Sequence, residues 1–441
     1  MERWNSRPLD TNQISICELI EHMEKAKKML ATAIQNPLAR GSAIVFVGSI
    51  VANIGAYAYH LIIGRILGPT GYGELSSLIS LLYIVSVPNT VVQTILVKYF
   101  SSTKANNEIG QAKDIVIRSM KWISLSVLIG LIITLISAPY IQSFLNLRET
   151  SWVLGIYCIF VSSLYSIVSS SVLQGYQKFL WLSVMSAIAI VVKIVLSIPL
   201  AAWGVGWTIL ATIISSLIII SIFFYAIKFV LSAKRKRFPM TKKDILKYGA
   251  PTFMTLLGIT SMYSTDIMLV KHYFPAHEAG VYAALSVLGK VIFFASSAVS
   301  SVIFPVLSER KSKKENTDTM VWLGAAIVGS ISLAITTIYF LFPSMVLHIL
   351  FGPAYDDAVP YLGLFGIFLS FFSLTNIFTL ILLALDKMNV WIIIAIGAIT
   401  QIGCIMLFHN SIMDIVTINI TVTAILSLSV IGYYLKTKEQ V

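Results

Sequence analysis

Three ionisable side chains stand inside runs that are otherwise apolar: Lys193, Asp266 and Lys290. A charge at the centre of a membrane helix costs about 2.5–3.5 kcal/mol on insertion scales, so each needs a wet cavity or a partner. The neighbours of Lys290 suit a cavity. Tyr282, Ser286, Lys290 and Ser297 share one helical face, a polar stripe carrying one cation. A lysine there attracts an anion as a point charge, phosphate being the usual one. Arg65, at the end of an earlier apolar run, is a second cation for the same anion. Asp266 has three candidate partners: Lys290, Arg65 or a coupling cation such as H+ or Na+. Lys193 is a further ion-pair or coupling candidate. Asn53 and His60 lie on one face of the first apolar run, and Asn89 and Gln93 lie in the second beside Pro88. They can hold the hydroxyls of a polar ligand, or bond one helix to another.

The elements that must position these groups are membrane helices. Apolar residues make up 57% of the 441 and charged ones only 12%, where soluble domains carry about 25% charged residues. Mean hydropathy is +0.85. In lipid only helices and closed barrels satisfy every backbone polar group, and runs of about twenty apolar residues without alternation predict helices. They fall at 43–65, 75–97, 120–141, 152–173, 181–203 and 207–228. Six more fall at 249–271, 280–304, 320–345, 360–384, 390–408 and 413–434.

With the N-terminus placed inside, 27 of the 32 Lys and Arg residues fall on the inner side. Only Arg65, Arg148 and Lys271 fall on the outer side. That asymmetry is the positive-inside rule. It places both termini in the cytoplasm and the chain in the cell membrane, and it explains the net charge of +12 through orientation and anionic lipid headgroups rather than nucleic acid. Cys17, Cys158 and Cys404 have no metal-binding or disulfide spacing. No metal and no cofactor are expected.

The chain repeats itself. At an offset of 207, GYGELSSLISL (71–81) lies over EAGVYAALSVL (278–288), pairing Gly73 with Gly280. At 208, VLGIYCIF (153–160) lies over YLGLFGIF (361–368), and at 210 Trp181 meets Trp391. Each match falls at the corresponding helix of a six-helix half. Six is even, so both halves enter from one side as a parallel repeat. The expected fold is an all-α polytopic membrane protein of about twelve helices in two six-helix lobes. Its divisions are an amphipathic arm at 1–40, lobes at 41–230 and 249–435, a basic linker at 231–248 and a tail at 436–441.

Three short loops carry a family resemblance: GRILGPTGYGE (64–74), LQGYQKF (173–179) and LFGPAYDDAVPY (350–361). From about residue 40 onward the chain resembles the polysaccharide transporters, Wzx-type oligosaccharide flippases of the multidrug/oligosaccharidyl-lipid/polysaccharide (MOP) exporter superfamily. The resemblance implies a two-lobed fold like that of the MATE transporters, with a central cleft lined mainly by helices 1, 2, 7 and 8. It also implies alternating-access transfer of a polyprenyl-phosphate-linked oligosaccharide to the outer leaflet, for surface polysaccharide synthesis. The partners would be that substrate, membrane lipids and a coupling cation.

Two other readings compete. A drug or metabolite antiporter of the same superfamily favours cationic cargo and calls for intramembrane acids, whereas here two deep lysines face one aspartate. A glycan polymerase or ligase needs an extramembrane platform, and the predicted outer loops are about ten residues or fewer. The adjacent Asp356 and Asp357 read as turn and helix-start residues. The expectation is a transporter and not an enzyme.

Overall fold

The computed structural model describes residues 37–239, 243–312 and 317–438. Most of the predicted N-terminal arm, residues 1–36, and the last three residues of the tail lie outside them. All regular structure among the described residues is helical, without a β strand.

Among the described residues eleven helical stretches are long and apolar enough to cross a membrane. One of them, Ile50–Val85, is two crossings. Gly68 interrupts it with φ 65° and ψ 177°, a left-handed conformation that glycine tolerates without steric cost. An unbroken helix would hold His60 and Tyr72 about 18 Å apart at 1.5 Å per residue. Instead His60 Nδ1 lies 3.0 Å from the Tyr72 hydroxyl, so the two arms fold back on each other. The described residues therefore hold twelve candidate crossings, with a helical hairpin at the first turn.

We label them α1 to α12. The arms on either side of Gly68, within Pro37–Val85, are α1 and the start of α2, and α2 continues after a break at Ser86 through Val87–Ala105. Then come α3 (Ile109–Phe144), α4 (Ser151–Gly175), α5 (Phe179–Ala201) and α6 (Val205–Ala226). Next are α7 (Lys243–Met262 with Thr265–Tyr273), α8 (Ala276–Ser312) and α9 (Asp318–Leu341), the last followed by a short helix, Pro343–Leu350. A 3-10 segment (Pro353–Tyr361) leads to α10 (Leu362–Ala384), α11 (Val390–Leu407) and α12 (Ile412–Lys438). Several run past their predicted ends. At 37 residues α8 is about 55 Å long, against a hydrocarbon core of about 30 Å. Hydropathy registers only the part that meets lipid.

The two halves pack alike. In the first, α1 packs on α5, α5 on α6, α2 on α4, α4 on α6, and α3 on both α2 and α4. In the second, α7 packs on α11, α11 on α12, α8 on α10, α10 on α12, and α9 on both α8 and α10. Every pair maps onto its counterpart by adding six, which makes the fold a parallel repeat of two six-helix lobes. The lobes meet through α1 and α2 on one side and α7 and α8 on the other.

The link between lobes is pinned to the first of them. Asp114, buried near the start of α3, accepts from Arg235 Nε at 2.7 Å and from the Phe238 amide at 3.0 Å, and pairs with Arg118 at 2.8 Å. The Lys236 amide donates to the Gly110 carbonyl at 3.0 Å. These bonds hold residues 235–238 against the basic end of the first lobe.

Candidate functional site

A cavity of about 70 Å³ lies between the lobes, enclosed by α1, α2 and α8. Its polar lining comes from Asn53, Tyr57 and His60 of α1, Ser76, Ser80 and Tyr83 of α2, and Lys290 of α8. The helical hairpin at Gly68 makes this possible, because it folds two polar faces of one sequence segment against the same stretch of α8. The space holds a few waters and is too small for a sugar.

Lys290 is 9% exposed. Its ammonium lies 5.2 Å from the ring of Tyr263 and 5.8 Å from that of Tyr83, within the range of cation–π attraction. Among the described residues it makes no ion pair. Two aromatic faces thus stabilise a cation whose remaining side looks into a polar cavity.

Exposure of the lining follows depth. Ser76 and Val287, nearer the Gly68 turn, are each 5% exposed, whereas Tyr83 and Phe294, about two helical turns deeper, reach 38% and 46%. The cavity therefore opens towards the half of the molecule that carries the basic loops. Its other end is shut by contacts between lobes. Arg65 donates to the carbonyls of His348, at 2.8 Å, and Ile349. The Tyr355 hydroxyl donates to the Gly64 carbonyl at 2.7 Å. Asn146 Nδ2 donates to the His272 carbonyl at 3.1 Å, and the His272 ring stacks on Phe144 at 4.3 Å.

A second polar group lies inside the second lobe. Asp266 Oδ1 accepts from the Ile267 amide at 2.8 Å and Oδ2 from the Tyr282 hydroxyl at 2.7 Å. Asn419 Nδ2 donates to that hydroxyl at 2.8 Å, and Gln401 Nε2 donates to Asn419 Oδ1 at 2.7 Å and to the Met262 carbonyl at 3.0 Å. The chain links α7, α8, α11 and α12 around one buried carboxylate.

The residues singled out from sequence divide accordingly. Asn53, His60 and Lys290 come together in the cavity. Tyr282 and Asp266 meet each other in the lobe interior, and Ser286 is buried outside the cavity lining. Arg65 does not assist Lys290, because its guanidinium is spent on carbonyls at the closed end. Asn89 turns into the first lobe and donates to Ser163 Oγ at 3.0 Å, and Gln93 is half-buried outside the cavity. Lys193 sits within the first lobe, 3.7 Å over the ring of Tyr59. Asp356 and Asp357 pair separately with His348 at 2.5 Å and His277 at 2.8 Å. The sequence reading missed Tyr57, Ser76, Ser80 and Tyr83 in the cavity, and Gln401 and Asn419 in the buried chain. An inventory of every polar residue within predicted spans, rather than in the four cleft helices alone, would have found the last two.

The profile of a family described as polysaccharide biosynthesis protein matches residues 121–360, more than half of the chain. The chain belongs to the polysaccharide biosynthesis protein family. No curated protein matched it by sequence. Among solved structures this family member is similar to the lipid II flippase MurJ in an inward closed conformation, with a TM-score of 0.68 at 15% identity, over 89% of this chain and 87% of that one. It is similar to an inward-facing multidrug resistance MATE transporter of the MOP superfamily, at 0.64 and 17%, over 90% and 99%. A MOP superfamily transporter from Pyrococcus furiosus, described by the reverse polarity of its binding pocket, gives 0.57 and 17%, over 90% and 95%. At these identities the likeness is one of fold. The chain is a multi-pass membrane protein that shares the fold of these structures.

Proposed function

We propose that this protein carries a polyprenyl-phosphate-linked oligosaccharide across the cell membrane by alternating access, the phosphate being received by Lys290. The observation that carries the reading is the ammonium of Lys290, which makes no ion pair among the described residues, buried between the lobes and facing a polar cavity. A fold that needed only packing would place an apolar residue there. The cavity is small because the lobes are closed around it, so loading requires them to part at the basic half. By the positive-inside rule that half, with both termini, is cytoplasmic, the side on which lipid-linked sugars would be collected. Residues 231–248 then serve as the hinge-side linker between the lobes at 41–230 and 249–435. The family's description supports a glycan role, and the likeness to a lipid II flippase supports a lipid-linked cargo. The transporter is read as a non-enzyme coupled to H+ or Na+, with the Asp266 carboxylate as the group that exchanges partners.

A drug or metabolite antiporter is the second reading, favoured by the likeness to MATE transporters. The charge in the cavity is positive, however, and a cationic drug would be repelled. Deleting the gene tests the main proposal: lipid-linked glycan should accumulate in the inner leaflet, and an unchanged pool and leaflet distribution would refute it.

A further inference from the structure

Among the described residues Lys290 is the only charged side chain that lines the cavity between the lobes. Arg65 is held by carbonyls at the closed end, Lys193 lies over Tyr59 within the first lobe, and Asp266 is bonded within the second. The cavity straddles the axis of the repeat. At the offset of 207 that pairs Gly73 with Gly280, Ser80 answers to Val287 and Tyr83 to Lys290, and all four of these last line it. Cations at both of the last two positions would face each other across the axis, one for each phosphate of a diphosphate. One of the two is a neutral phenol instead.

Whether the site holds a second charge then turns on His60. Its Nδ1 lies 3.0 Å from the Tyr72 hydroxyl. Tyr72 is fully buried, and among the described residues that hydroxyl has no other hydrogen-bond partner. Were Nδ1 protonated, the phenol hydrogen would be buried without an acceptor, which is costly. With the phenol donating to Nδ1, that hydrogen is satisfied, and the ring is neutral with its proton on Nε2. Among the described residues Nε2 makes no hydrogen bond, and it is not sealed by packing. Ser76 and Ser80 are 5% and 1% exposed. Their hydroxyls are likewise unbonded among the described residues and accessible from the cavity. The site thus offers an anion one cation and three neutral donors.

We propose that this site selects a phosphodiester of single negative charge, a polyprenyl monophosphate bearing the glycan, over the doubly charged diphosphate. Lys290 neutralises the charge, and the His60 Nε2–H and the hydroxyls of Ser76 and Ser80 donate to the unbridged oxygens. Tyr72 is the positioning residue that keeps His60 neutral. A diphosphate would bring a second charge into the closed cavity with no partner, and unpaired buried charge is strongly unfavourable. The inference rests on the reading of the protein as a carrier of lipid-linked oligosaccharide.

The test uses the full-length protein in a phosphate-free alkyl maltoside. Farnesyl phosphoryl glucose and farnesyl diphosphoryl glucose are titrated separately by calorimetry. The monophosphate should bind roughly tenfold tighter, both at about pH 8 and at about pH 5.5, on either side of the usual histidine range. Tyr72→Phe frees Nδ1 to take a proton, so its preference should reverse at the lower pH and stay at the higher. His60→Lys adds a fixed charge and should reverse the preference at both. It decides the matter if Tyr72→Phe fails to fold. A diphosphate bound as tightly as the monophosphate, or more so, by the unaltered protein overturns the proposal and leaves the transport reading standing. So does an unchanged order in both variants. Dihexanoyl phosphatidylglycerol, a phosphodiester of the same charge without the sugar, should bind more weakly than the monophosphate. Equal binding would mark a phospholipid-headgroup site and overturn the proposal. No saturable binding of either farnesyl probe would remove it together with the lipid-linked reading.

Discussion

Gly73 and Gly280 touch each other across the lobe interface: a Cβ added to Gly73 would lie 2.8 Å from the Gly280 amide nitrogen. These are the two residues that the repeat equates, each four residues into the second helix of its lobe. Equivalent residues can meet only where the local two-fold axis passes, so the axis runs between α2 and α8 at the closed end. Rotation of one lobe against the other about such a contact moves the distant ends most. The small residues there are a condition of closure.

Gly280 is the tighter of the pair. A Cβ on it would lie 1.8 Å from the Pro69 carbonyl oxygen and 2.2 Å from its carbon, backbone atoms with no rotamer to yield. Overpacking of this kind costs about 1–3 kcal/mol. Gly280→Ala should insert normally yet lower translocation roughly tenfold, and it should raise labelling of a cysteine placed at Thr70 by an impermeant reagent added from outside. Wild-type labelling and rate would show that the contact is not needed.

Membrane topology gives a second prediction. Reporter fusions after Arg148 and after Asp357 should report the outer face, and those after Lys236 and Lys313 the inner face. The basis is the division of 27 basic residues from three. An inner-face signal from either of the first two would break the assignment.

The linker gives a third. Asp114→Ala would strand the Phe238 amide and remove two charged partners at once, Arg118 and Arg235, which are 28% and 50% exposed. Both guanidiniums can turn to water, so the loss is mostly that of hydrogen bonds to a charged group, about 1.5–3 kcal/mol. Thermal unfolding of the purified protein should fall measurably, and protease should cut at residues 235–238. Asp114→Asn, which keeps one acceptor, should lose less.

Much of the fold is written in the sequence because the membrane restricts the choices. Span number and the repeat follow from apolar runs and matched offsets, and the Gly73–Gly280 pairing was legible before any contact was known. Helix ends were not. The extra turns of α3 and α8 are more polar than the apolar runs they extend, so hydropathy carries little signal there. The site was half legible for a related reason. Cost at depth points to Lys290 and Asp266 as special, but it does not say which way a helix is turned. Tyr282 shares a helical stripe with Lys290, yet it lies two turns nearer the closed end, where α8 packs on α7 and Asn419 of α12 reaches the Tyr282 hydroxyl, and so it serves Asp266. Arg65 was misjudged because its partners, the His348 and Ile349 carbonyls, are backbone groups that no residue pattern reveals.

The buried chain around Asp266 gives a fourth prediction. Tyr282→Phe removes the donor to Asp266 Oδ2 and the acceptor for Asn419 in one step. Each group left without a partner costs about 1–3 kcal/mol. Stability in detergent should drop, and the cation coupling proposed above should be lost. Unchanged melting and unchanged ion dependence would mean that the chain is not built around the carboxylate as described.

The last prediction concerns Lys290 itself. Its ammonium has rings on one side and the cavity on the other, and no ion pair among the described residues. A cation held this way binds phosphate through charge more than through directional bonding. Lys290→Arg should therefore keep part of the translocation rate, since arginine supplies the charge with a bulkier head and stacks on Tyr83 and Tyr263. Lys290→Gln leaves a polar side chain one atom shorter and loses the charge, and should fall roughly a hundredfold, the scale of about 2.7 kcal/mol. Lys290→Glu should do worst, because it repels the anion from within the cavity. Membrane insertion and melting temperature, measured on each variant, separate a transport defect from a folding defect. A Lys290→Gln protein that inserts normally and flips lipid-linked glycan at the wild-type rate would end the assignment, and the ammonium would then be a structural partner of the two tyrosine rings.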